Sequence, residues 1–135
     1  MIFTVHFAAT WAMIGAVWFV LFVHYPGFRF LSKEDFAVYE SFHIRRTLAL
    51  VIPVMLIEAG TALYLMFQGP ILILNALILA FIWAMTFAYC FPIHIALKEK
   101  YSECRMKSLI QVHGIRVGLW TFRGVLLFFA KEGVF

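Results

Sequence analysis

Four long apolar runs divide the chain, at about 2–25, 43–67, 71–97 and 108–130, with charged residues crowded into the connections between the first and second and between the third and fourth. An α-helix rises 1.5 Å per residue, so each run is long enough to cross a hydrocarbon core of about 30 Å. The pattern predicts an all-α, integral membrane four-helix bundle running up-down-up-down, with the whole of 1–135 as one transmembrane domain. Pro26-Gly27 is expected to stop the first span, and Pro53 to kink the second. Gly69-Pro70 leaves room only for a tight turn, which makes spans two and three an antiparallel hairpin. Residues 28–42 mix phenylalanines with charges; Ser32 and Asp35 form an acidic capping box, and Phe36, Tyr39 and Phe42 share a face. A short interfacial helix between spans 1 and 2 is the expectation there.

Polar positions inside the spans are few, so each asks for a reason. In the last span, His113, Arg116, Trp120, Arg123 and Leu127 form one helical stripe, while Gly114 and Gly118 sit on another face, spaced for the close approach of a second helix. An arginine at the centre of a membrane helix costs about 2.5–3.5 kcal/mol, which two in one helix must recover from an inward-facing polar site. Glu58 is the one acidic residue in the predicted spans, at a depth between Arg116 and Arg123, with Thr47 on its face. Pairing with either arginine is expected, and burial makes Glu58 the candidate general base. One carboxylate against two guanidiniums leaves a positive surplus that an anionic cofactor or ligand would answer.

Helix direction places the histidines. His24 closes span one, His43 opens span two, His94 lies near the end of span three and His113 early in span four. In an alternating bundle all four fall within roughly 10 Å of one boundary. His6 shares the face of His24, five turns away near the opposite boundary.

Composition narrows the class. Hydrophobic residues make up 64% and charged residues 13%, too apolar for a soluble globule of this size. The net charge of +4 comes from residues flanking apolar runs, so it reads as a topology signal toward the lipid bilayer, with no nucleic-acid partner. Arg29, Lys33, Arg45 and Arg46 border the first connection and Lys98, Lys100, Arg105 and Lys107 the third, while the second has none. Loops 26–42 and 98–107 are therefore expected in the cytoplasm and both termini outside, in a bacterial inner membrane. With no basic n-region and an apolar run continuing past position 20, the first span reads as a retained helix and not a cleaved signal. Cys90 and Cys104 make no disulfide framework.

Membrane four-helix bundles with inward histidines suit haem, whose iron takes neutral imidazole and whose propionates would answer the surplus arginine. Haem b is thus the expected cofactor, held by His24, His43, His94, His113, Arg116 and Arg123, for electron transfer or oxidation of a lipophilic substrate. Copper, iron or zinc on the same four histidines is the alternative, with Cys90 four residues before His94 on one face. A third reading is a non-catalytic assembly subunit clasped by Glu58 and an arginine, and a homo-oligomer is compatible with the glycine pair. No glycine-rich phosphate loop, G-x-S-x-G elbow or H-E-x-x-H helix is present.

The opening stretch H-F-A-A-T-W-A-M-I-G-A-V-W-F-V-L-F-V-H-Y-P resembles the first helix of small four-helix membrane haem proteins, the HemJ-type protoporphyrinogen oxidases and copper-resistance D-type membrane domains. The resemblance spans about 20 residues. It implies a haem-ligand role for His6, at the end of the bundle opposite the histidine cluster. The basic residue expected early in the second helix of those families is a lysine; Arg45 or Arg46 stands nearest here.

Overall fold

The computed structural model describes residues 1–131. It is all-α: four long antiparallel helices, each long and apolar enough to cross a membrane. Helix α1 (Ile2–Phe30) includes a π-helical turn at Val20–His24 and ends in a 3₁₀ turn at Phe28–Phe30. Helix α2 covers Lys33–Leu65, α3 covers Pro70–Glu99 with a second π-helical turn at Thr86–Cys90, and α4 covers Glu103–Lys131. Each helix packs against the next in sequence, and α4 closes the ring on α1.

Two boundaries differ from the sequence reading. Pro26-Gly27 does not end α1, which continues to Phe30. A proline lacks the N–H that would bond the carbonyl four residues back, and its ring crowds that carbonyl. Here the strain is absorbed upstream as a π turn: Pro26 and Pro92 each stand two residues past one, with Phe22 and Ala88, their i−4 residues, inside it. The separate interfacial helix is also corrected. Ser32 caps as expected, its Oγ accepting from the Asp35 N–H at 3.0 Å, but the helix it starts runs unbroken to Leu65, through Pro53. Once nucleated, a helix propagates until something stops it, and nothing between 33 and 43 does. The turn at Gly69 is as short as expected, with Pro70 at the first helical position where its missing N–H is harmless.

The interior is layered. A middle apolar layer of Met13, Ile14, Val17, Met55, Ile82 and Val117 packs around the fully buried Trp120. An aromatic and aliphatic plug, including Phe28, Phe36, Leu97 and Leu109, closes the end that carries the basic loops. Large side chains such as Phe22, Leu50, Leu63 and Phe87 are more than half exposed on the outer faces. That is the surface a lipid-facing bundle presents, and it would aggregate in water.

The Gly114–Gly118 expectation is corrected inside the chain. A Cβ added at either glycine would meet nothing within 4 Å, so no helix of the bundle approaches there. The close approach is at Gly124, where an added Cβ would run into the Cδ1 of Ile14, with Trp11 also in contact. Gly124→Ala is therefore expected to cost about 1 kcal/mol, the low end for overpacking, because the end of the Ile14 side chain can shift and alanine favours the helix. Ile14→Val removes the clashing methyl and should return most of that loss in thermal melts of the double variant.

Candidate functional site: a buried clasp and a histidine cluster

Above and below the apolar layer lie two polar clusters. At the end away from the basic loops, Glu58 and Arg123 are both fully buried, and Arg123 Nη1 donates to Glu58 Oε1 at 2.6 Å. Thr10 Oγ1 donates to the same oxygen at 2.8 Å, and Trp120 Nε1 lies 3.3 and 3.2 Å from the two carboxylate oxygens. The rest of the guanidinium is held by Asn75. Its Oδ1 accepts from Arg123 Nη2 at 2.9 Å and Nε at 3.2 Å, while its Nδ2 donates to the Arg123 carbonyl at 3.2 Å. His6 bridges Thr61 Oγ1 (2.8 Å) and Asn75 Oδ1 (3.4 Å). All four helices contribute, so the cluster ties the ring together with its polar groups partnered.

The sequence reading paired Glu58 with one of two arginines, and the partner is Arg123. Glu58 as general base and Arg123 and His6 as cofactor-binding residues are placed here, saturated with protein partners and lining neither cavity. Thr10 and Asn75 were missed. Thr10 follows His6 by one helical turn, and Asn75 is the lone amide in an otherwise apolar stretch of α3, so both had a signal in polarity at helical spacing.

Toward the basic end, the helices bring His24, His43 and His94 together. The His24 and His43 rings stack with centroids 3.7 Å apart, and His94 lies 5.8 Å from His43. His113 stands behind Tyr25, 5.0 Å between ring centroids. Its nitrogens are both used: Nε2 donates to the Val17 carbonyl at 3.0 Å, which leaves Nδ1 to accept from Arg116 Nη1 at 3.2 Å. Arg116 also donates to Cys90 Sγ at 3.4 Å and lies over the Trp120 ring, while its buried Nε has no partner.

Glu40 was the largest omission. It is fully buried and accepts a hydrogen bond from His94 Nδ1. Its second oxygen has no partner, nor does the buried His24 Nε2. Assigning 28–42 to an interfacial helix hid it. On the continuous α2, however, Phe36, Glu40, His43, Thr47 and Glu58 follow one inward stripe. Glu40 also removes the surplus positive charge: among the described residues the interior holds Glu40 and Glu58 against Arg116 and Arg123.

Two cavities flank the stacked histidines. One, of about 290 Å³, is lined by His24, Tyr39, Gly27 and the apolar residues around the α1 π turn. The other, of about 300 Å³, lies between α2 and α3, with His43, Thr47, Cys90, His94 and Arg116 on its inner wall. Its rim includes Leu48, Ile52, Phe87 and Phe91, all exposed on the outer face of the bundle.

The groups as placed do not by themselves form a paired-histidine site. A haem iron held by histidine takes an imidazole nitrogen; His24 and His43 stack ring on ring, and His113 has no lone pair to give. A cavity near 300 Å³ is at the small end for any organic ligand. Among the described residues no group of three or more His, Cys, Asp or Glu side chains is arranged to hold a metal ion. Cys90 and His94 share a helical face but turn to different partners, Arg116 and Glu40. No protein-family model matches the chain, and neither a curated protein nor a solved structure is significantly similar to it.

Proposed function

We propose that this is an integral membrane protein that takes the polar head of a lipophilic molecule into the cavity between α2 and α3, from within the bilayer. The observation that carries the reading is the cavity's two-sided character: an apolar rim on the lipid-facing surface and an inner wall of histidine, threonine, cysteine and arginine. A few convergent polar groups in a mostly apolar recess are the usual makings of a small-molecule site. Arg116 supports it, because it brings a positive charge to the wall of an apolar recess, where a ligand oxygen would be held by a charge-assisted hydrogen bond. The redox role expected from the histidines is carried in this reading by the lipophile itself, of the quinone or quinol class.

Photo-crosslinking with a diazirine-bearing alkyl phenol, on protein in lipid nanodiscs, tests the reading. Labels mapped by mass spectrometry are expected to concentrate at 43–55 and 86–94 and to be suppressed by Thr47→Trp, which fills the cavity. Labelling spread evenly over the outer faces of all four helices would overturn it. An absorption spectrum of the purified protein showing a Soret band would replace the lipophile with haem.

A further inference from the structure

We propose that this cavity ionises a weakly acidic hydroxyl on its lipophilic ligand, a phenol or hydroquinone head, with His94 as the base, Glu40 behind it and Arg116 holding the resulting oxyanion. The inference rests on the proposed cavity reading and adds a chemistry to it.

The geometry gives each group one task. Glu40 is an acceptor toward His94 Nδ1, so Nδ1 carries the proton and the lone pair is on Nε2. Nε2 faces the buried Tyr25 hydroxyl at 3.5 Å, a long and weak hydrogen bond that a ligand hydroxyl would displace. The His94 side chain keeps 15% exposure and lines the cavity, whereas Glu40 behind it keeps none. A carboxylate fixing the tautomer and stabilising the imidazolium that forms is the arrangement by which histidine becomes a competent base. Arg116 lines the same cavity and brings its positive charge to it, while its Nε–H, buried behind the wall, has no protein partner. The step balances without an oxidant: the ligand O–H bond breaks, its proton passes to His94 Nε2, and the electron pair stays on the ligand oxygen beside Arg116.

The groups facing His94 are Tyr25 from α1 and Glu40 and His43 from α2. Beyond them stand His24 on α1, Cys90 one turn back on α3, and Arg116 with His113 on α4. Glu40 is the carboxylate in direct contact with His94, which makes it the residue to change.

The test uses an alkyl-chain nitrophenol, whose phenolate absorbs in the visible, added to the full chain in nanodiscs of zwitterionic lipid. At a pH where the probe in empty nanodiscs is mostly protonated, the bound probe is expected to be at least about tenfold more ionised. Glu40→Gln, which alters no residue lining the cavity, should remove most of that difference while saturable binding persists, and His94→Gln should remove it as well. Saturable binding with no gain in phenolate overturns the inference and leaves the cavity reading standing. A gain that both variants leave unchanged overturns it too, since Arg116 alone would then be responsible. Absence of saturable binding overturns both. If either variant fails to fold, the wild-type comparison, with Thr47→Trp as the blocked control, still decides whether the site ionises its ligand.

Discussion

Replacing either partner of the Glu58–Arg123 pair is expected to cost about 3–5 kcal/mol, enough to unfold much of the protein in mild detergent at elevated temperature. The cost comes from the group left behind. Glu58→Gln keeps the shape and an oxygen for Thr10, but it leaves a buried guanidinium without its countercharge. Arg123→Met is the harsher change: it strands the carboxylate beside two weaker donors and frees the Asn75 oxygen as well. In a medium with no water to rescue it, an uncompensated charge is the most expensive thing a helix can bury. The double variant Glu58→Gln, Arg123→Met should lose clearly less than the sum of the singles, because no stranded charge remains. Thermal unfolding of the four proteins in one detergent gives the cycle. Additive losses would mean that the two groups contribute independently and that the clasp does not hold α2 to α4.

Because that pair is saturated, the two clusters have separate roles. The Glu58 cluster uses its polar groups on one another and ties four helices together. At the other end, Glu40 Oε2, His24 Nε2 and Arg116 Nε lack partners. Polarity that is fully partnered holds a fold, and polarity that is not is where a ligand has something to gain. The nonbonded groups also lie next to the two π turns, and such turns recur where a helix is bent to a local task. Here each turn follows from a proline two residues on, so a sequence feature that reads as a helix stop instead reshapes the wall beside a cavity.

The spans, the alternating order and the shared depth of four histidines were legible because they depend only on hydropathy and rise per residue. Glu58 with an arginine was legible for the same reason: charges at equal depth in an apolar bundle have few alternatives. What was hidden depends on rotation about the helix axis and on continuity. Glu40 was assigned to a surface segment because Arg29, Lys33, Glu34 and Asp35 crowd the stretch it belongs to, although α2 passes straight through. With Glu40 missing, the charge count came out positive and pointed to an anion such as a haem propionate. Spacing alone also could not say whether Gly114 and Gly118 face a helix or the outside, since a glycine pair reads identically in both settings.

Asn75→Leu is expected to rival the single charge changes, at about 2–5 kcal/mol, although it removes no charge. Leucine keeps the branched outline of asparagine but is bulkier, so some overpacking adds to the loss of the hydrogen bonds. The Asn75 amide is oriented by its surroundings: two guanidinium N–H groups point at one end and a carbonyl at the other, which fixes oxygen and nitrogen without ambiguity. Removing it leaves Arg123 Nη2 without this partner and Nε with only the Asn75 carbonyl at 3.2 Å, while the Arg123 carbonyl loses its donor. Hydrogen bonds to charged groups are worth about 1.5–3 kcal/mol each, and the stranded donor carries most of the cost. Asn75→Asp distinguishes this account from one based on charge. An aspartate still accepts from Arg123, but its second oxygen would face the Arg123 carbonyl where an N–H now points. It is therefore expected to recover little of the loss in the same melts. Full stability of Asn75→Asp would show that guanidinium neutralisation, and not the two-ended fit of the amide, is what α3 supplies to the clasp.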